Sequence, residues 1–129
     1  MAKGTELVKY AGGRAWEEAF LAEPRTTPPV NLYEREDAFL LIATTPGVPK
    51  SDVRVAVEGE DIVIMAKGGD DLSTVEPIFE ETPYGNFHRR IRVGRTIDLA
   101  KIEAVYDNGR LAITLPKRAR PDGFEIEIE

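Results

Sequence analysis

The sequence contains no cysteine. Disulfides and cysteine-based zinc sites are therefore excluded, and a reducing compartment is consistent with that lack. Histidine occurs once, at His88, and serine only at Ser51 and Ser73. Neither serine sits in a nucleophile-elbow context. A lone histidine inside a strand-like run reads as structural or surface rather than catalytic. No glycine-rich phosphate loop is present, so ATP use is not indicated. Asp70-Asp71 is too sparse for a calcium loop. These shortages predict a protein that is not an enzyme and has no cofactor and no metal site. No apolar run is long enough to cross a bilayer, and the opening MAKGTELVKY lacks the apolar core of a signal peptide. The expectation is a soluble cytoplasmic protein with no membrane partner.

What remains is a chain of 129 residues with a net charge of -6 and both signs interspersed. That length fits one domain with a working core. The charge argues against a nucleic-acid partner. The one basic cluster, His88-Arg89-Arg90-Ile91-Arg92, lies within a strand pattern that puts Arg90 and Arg92 on one face, not on a broad phosphate-binding surface.

Three segments are expected. Residues 1–29 form an N-terminal arm, partly helical or disordered. Gly12-Gly13 interrupts it, RAWEEAFL (14–21) is its best helical stretch, and Pro24, Pro28 and Pro29 stop any helix. Trp16, Phe20 and Leu21 are its candidate contacts with other proteins; packing on its own domain or on a partner is the other use for such an arm. Residues 30–117 read as strand after strand: NLYERED, FLLIATT, DVRVAVEG, DIVIMAK, NFHRRIRV, KIEAVYD and RLAITLP. Short alternating runs with frequent turn signals, Pro46-Gly47 and Glu60-Asp61 among them, predict an all-β sandwich. Residues 68–86 make a loop too long for a simple connection. It carries Val75, Ile78, Phe79 and Tyr84, so it is expected to dock on its own domain or on a neighbour. Residues 118–129 form a tail.

The most informative stretch is AVYDNGRLAITLPK (104–117). Asn108-Gly109 is a strong hairpin signal, because both residues tolerate the positive φ that a type I′ turn requires. Leu111, Ile113 and Leu115 then alternate with Ala112 and Thr114, and Pro116 ends the strand. Ala104, Gly109 and Leu111, followed by Leu115-Pro116-Lys117, resemble the signature of the alpha-crystallin domain of small heat-shock proteins. TTPGVPKSDVRVAVEGEDIVIMAKG and YGNFHRRIRV are similar to two further stretches of that family, in the right order. One departure is Val93-Gly94, where the family often has Leu-Pro; a looser corner is expected there.

The resemblance implies an immunoglobulin-like β-sandwich and an ATP-independent holdase that binds non-native client proteins under stress. It also implies a dimer building block and a higher homo-oligomer. A strand near residues 77–82 would pair with a partner's edge. The implied dimer interface is Arg89 with Ile78, Phe79, Glu80, Glu81 and Tyr84, the loop carboxylates facing the guanidinium. A solvated strand arginine is the plainer reading. The tail's Ile126 and Ile128 lie two apart and share one side when extended. In the family such a pair plugs a neighbour's groove, whose walls here would be Val53, Val55, Val57 and Val105. A last strand within the same domain, or a frayed acidic tail, is the alternative. Two other functions share the fold: a structural coat or assembly protein, and a CS-domain-like co-chaperone adaptor.

Overall fold

A computed structural model describes residues 9–10, 25–68, 72, 74–82, 85–118 and 126–128. Ten strands are described: β1 (Lys9–Tyr10), β2 (Arg25–Thr26), β3 (Val30–Glu34), β4 (Ala38–Thr44), β5 (Val53–Glu58), β6 (Asp61–Ala66), β7 (Asn86–Arg92), β8 (Glu103–Asp107), β9 (Arg110–Pro116) and β10 (Glu127–Ile128). They form two sheets. One has the order β3-β4-β9-β8; the other runs β1-β5-β6-β7-β10, with β2 also on β7. The seven long strands coincide with the seven alternating runs of the sequence.

The sheets pack face to face through every second residue, as period-2 side-chain alternation dictates. Leu41, Ile62, Ile64, Ile91, Leu111, Ile113 and Leu115 are wholly buried between them. On the other face of the β5-β6-β7 sheet, Ala56, Val63 and Met65 form a second buried cluster.

Local chemistry fixes the turns. Asn108 (φ 52) and Gly109 (φ 78) are both left-handed, so the expected hairpin is present. β9 pairs with β8 in the register Tyr106↔Leu111 and Ala104↔Ile113. The β5–β6 turn falls one residue earlier than expected. It is made by Gly59 (φ 62) and Glu60, and Asp61 already opens β6, because the left-handed position suits glycine. Gly94 also sits at positive φ (80), a conformation the proline ring cannot adopt. Beside it the Val93 amide donates to the Glu60 carbonyl at 2.9 Å.

Candidate functional site

The candidate site has three parts: the long loop, the seam beside β7, and the two further edges at β5 and at β8, each an end of its own sheet's long strands. The loop leaves the sandwich through a tied neck. The amide of Gly68 donates to Oδ1 of buried Asn86 at 2.8 Å. Residues 77–82 form no strand within the single chain. Their apolar side chains are open instead, with Ile78 99% and Phe79 77% exposed. Glu80 and Glu81 are exposed as well, whereas Tyr84 lies outside the described residues.

Arg89 alternates with the core residues Phe87 and Ile91, and pairs in register with Ile64. It therefore lies on the inner face of β7 at the seam beside that strand. Its Nη1 donates to the carbonyl of Pro28 at 2.9 Å, and among the described residues its buried Nε has no partner. Among the described residues no ion pair joins it to Glu80 or Glu81. The neighbouring arginines behave differently. On the outer face, Arg90 bridges Glu58 at 2.7 Å and Asp61 at 3.0 Å. Arg92 approaches the other oxygen of Asp61 at 3.9 Å. The basic cluster is thus largely neutralised by its own sheet.

The tail returns to this same seam. Glu127 and Ile128 pair antiparallel with Arg92 and Ile91. Directly opposed residues share a face, so Ile128 lies on the core side. Ile126 is half-buried and packs against the main core, while Ile128 remains 39% exposed. Of the alternatives open from sequence, the single chain shows a last strand in its own domain.

The four valines named as groove walls do not form one open surface. Val53 and Val55 are 1% exposed and belong to the core. Val57 is half-buried on the same face at the edge. Val105 alternates with Ala104 and Tyr106, which point inward, and so lies on the outer side of β8. Alternation could assign a face to each valine, but not what stands opposite that face. The edge of β5 is also occupied: Lys9 and Tyr10 pair parallel with Val55 and Ala56. Within one chain this edge and the tail are on opposite sides of the sheet. Trp16, Phe20 and Leu21 lie outside the described residues.

Two anchors were not foreseen from sequence. The buried hydroxyl of Tyr106 bonds the carbonyl of Val48 at 2.7 Å, that of Thr45 at 3.1 Å, and the Thr45 hydroxyl at 3.0 Å. Lys117, which closes the signature, donates to Glu34 at 2.7 Å and lies 4.9 Å above the Phe39 ring. It holds the β3–β4 hairpin to the end of β9. A buried tyrosine on an alternating strand is the only sequence signal for the first, and none marks its partners.

Among the described residues no group of three or more His, Cys, Asp or Glu side chains could hold a metal, and no helix is long and apolar enough to cross a membrane.

Comparison with known proteins agrees with this architecture. The model of the Hsp20/alpha crystallin family matches residues 31–129. The "Probable 15 kDa heat shock protein" of Leptospira interrogans is 34% identical over 101 residues, which is 78% of this chain and 77% of the relative. The 18 kDa heat shock protein of Clostridium acetobutylicum is 33% identical over 105 residues, covering 77% of this chain and 69% of the relative. Among solved structures, a small heat-shock protein from Xylella fastidiosa superposes with a TM-score of 0.68 at 28% identity, over 82% of this chain and 99% of that one. HspA from Xanthomonas axonopodis gives 0.66 at 30%, over 78% and 100%. The alpha-crystallin sandwich, its signature hairpin and these relatives together place the chain in the Hsp20/alpha crystallin family, the small heat-shock proteins.

Proposed function

We propose that this chain is a holdase: it captures non-native proteins through apolar contact, without ATP, and keeps them from associating. The observation that carries this reading is the family match, which spans the sandwich from residue 31 to residue 129. Membership in the small heat-shock proteins supports a chaperone role. The geometry suits capture rather than covalent chemistry. Apolar side chains stand open on the loop, while the net charge of -6 keeps a loaded complex in solution.

The working unit in this reading is a dimer assembled further through the tails. Ile78 and Phe79 seat on the partner, and Glu80 or Glu81 of the partner subunit completes the unfilled donors of Arg89. Tyr84 joins the same interface. Ile126 and Ile128 leave the β7 seam and plug the β5–β8 edge of a neighbour, near Val57 and Val105. Burying two isoleucines is worth about 3–6 kcal/mol gross. Ordering the tail offsets much of this, so the plug is weak and subunits exchange. Trp16, Phe20 and Leu21 of the arm are the proposed client contacts.

The test is direct. A labile client is heated with and without the protein, in the absence of ATP, and light scattering is followed. Suppression at equimolar subunits is expected. Undiminished scattering would sink the holdase reading and favour a purely structural assembly protein.

A further inference from the structure

β1 and β2 flank the same three strands from opposite edges. Lys9–Tyr10 runs parallel to β5, and Arg25–Thr26 runs parallel to β7. Both β5 and β7 are antiparallel to β6, so β1 and β2 point in the same direction. Parallel strands of one sheet cannot be joined by a tight turn; the connection crosses over a face, and takes about a dozen residues or more. Residues 11–24 meet that length. The separation is four strand steps, about 19 Å at about 4.8 Å each, well within their reach.

Only one face is open to such a crossing. The inner face of β5-β6-β7 is closed by the second sheet, through Val53, Val55, Ile62, Ile64, Phe87 and Ile91. The outer face carries Ala56 and Val63 in register, with Met65 beside them. All three are 0% exposed, although they point away from the core. The described strands lie along the edges of this sheet or against its inner face; on the outer face itself Arg54, His88 and Arg90 flank the patch in register. The sequence of the crossing segment, AGGRAWEEAFLAEP, has the complementary chemistry. Trp16 and Phe20 are four apart, so one turn of helix stacks them on one side, with Leu21 next to them.

We propose that residues 11–24 lie across the outer face of β5-β6-β7, with Trp16 and Phe20 seated on the patch made by Ala56, Val63 and Met65. The occupant is the chain's own arm, because its two ends are fixed at the two edges of that face by β1 and β2. The aromatic side chains proposed as client contacts are then covered by their own domain at rest. The docking does not rest on the holdase reading, and its test needs no client.

Trp16 is the only tryptophan and the chain has no cysteine, so both reporters are clean. Wild-type Trp16 emission is expected to be blue-shifted from free tryptophan and protected from acrylamide. Val63→Gln should shift emission to the red and raise quenching towards the free-tryptophan level, with the β-sheet circular dichroism retained. Met65→Gln gives the same readout should Val63→Gln lose the sandwich. Phe20→Cys combined with Val63→Cys should form, under mild oxidation, a disulfide within one chain, read by non-reducing mass analysis. Solvent-like emission in the wild type, or emission indifferent to both substitutions, would overturn the docking. A disulfide formed only between two chains would overturn the assignment to the chain's own arm and give the patch to a second copy.

Discussion

At the scale of single residues, Tyr106 shows how a hydroxyl ties loop to sandwich. Thr45 is wholly buried and Tyr106 is 5% exposed, so neither polar group can fall back on water. Replacing a buried partner leaves the others unsatisfied, which costs about 1–3 kcal/mol. Tyr106→Phe is therefore expected to lower the unfolding free energy by that amount, read as a lower urea midpoint at an unchanged slope, since the compactness of the native state is preserved. An unshifted midpoint would show that the Thr45 and Val48 carbonyls find other donors. Arg89 is a different case at the same scale. Among the described residues its guanidinium holds only the Pro28 carbonyl, with the Nε buried and unfilled. A buried donor without a partner is rare, and in a homo-oligomer the missing acceptor can come from another chain.

At the scale of elements, the neck of the long loop is the most constrained point. A β-carbon on Gly68 would collide with the backbone carbonyl of Gly85, which itself has φ 123. The Gly68–Asn86 bond ties the two strand ends together across the neck. Gly68→Ala is expected to cost about 1–3 kcal/mol, read as a lower melting midpoint. A neutral result would mean that the neck opens freely. The same loop shows where sequence reasoning reaches and where it stops. The long strands were legible because Leu111, Ile113 and Leu115, or Val53 and Val55, alternate with polar or small residues, and period-2 burial leaves that trace. The two-residue strands β1, β2 and β10 are too short to carry any period. Their positions follow from which edges the rest of the fold leaves free. For the same reason alternation set Val53 and Val55 on one shared face without saying what stands opposite: in the single chain both are 1% exposed and belong to the core. The signature residues Ala104, Gly109 and Leu111 were legible for another reason. Each answers a local demand: inward packing for Ala104 and Leu111, positive φ for Gly109.

At the scale of the whole molecule, the sandwich has two lateral sides, and the chain treats them differently. Among the described residues, the β7 side holds β2 and the tail, and the β5 side holds β1. A two-residue ladder buries little and resists displacement weakly, so the β5 side is the easier one for a neighbour to enter. Ile126→Ala with Ile128→Ala should shift the assembly to smaller species by size-exclusion chromatography with light scattering. Because Ile126 also packs on the core of its own chain, a lowered melting point is expected alongside. Loss of stability with unchanged mass would confine the tail to its own domain.

The loop gives the sharper test of assembly, because its apolar residues have no second task. Ile78 and Phe79 are 99% and 77% exposed, so nothing in the single chain depends on them. Adjacent open apolar side chains of this size mark a contact surface. In a two-fold dimer each subunit contributes both residues, four in all, at about 1.5–3 kcal/mol each when buried. That gross gain, about 6–12 kcal/mol, is of the same order as the cost of association, so removing it should tip the balance. Ile78→Asp with Phe79→Asp is expected to convert the proposed dimer to monomer at micromolar concentration by light scattering. The monomeric sandwich should stay folded, with its β-sheet circular dichroism retained, and lose only the concentration-dependent stabilisation that association supplies. The pairing of those two results is the discriminating feature. Dissociation with a folded, cooperatively melting sandwich assigns the loop to the partner. An intact dimer would move the interface elsewhere, to the sheet edges and the unfilled Arg89 donor at the β7 seam.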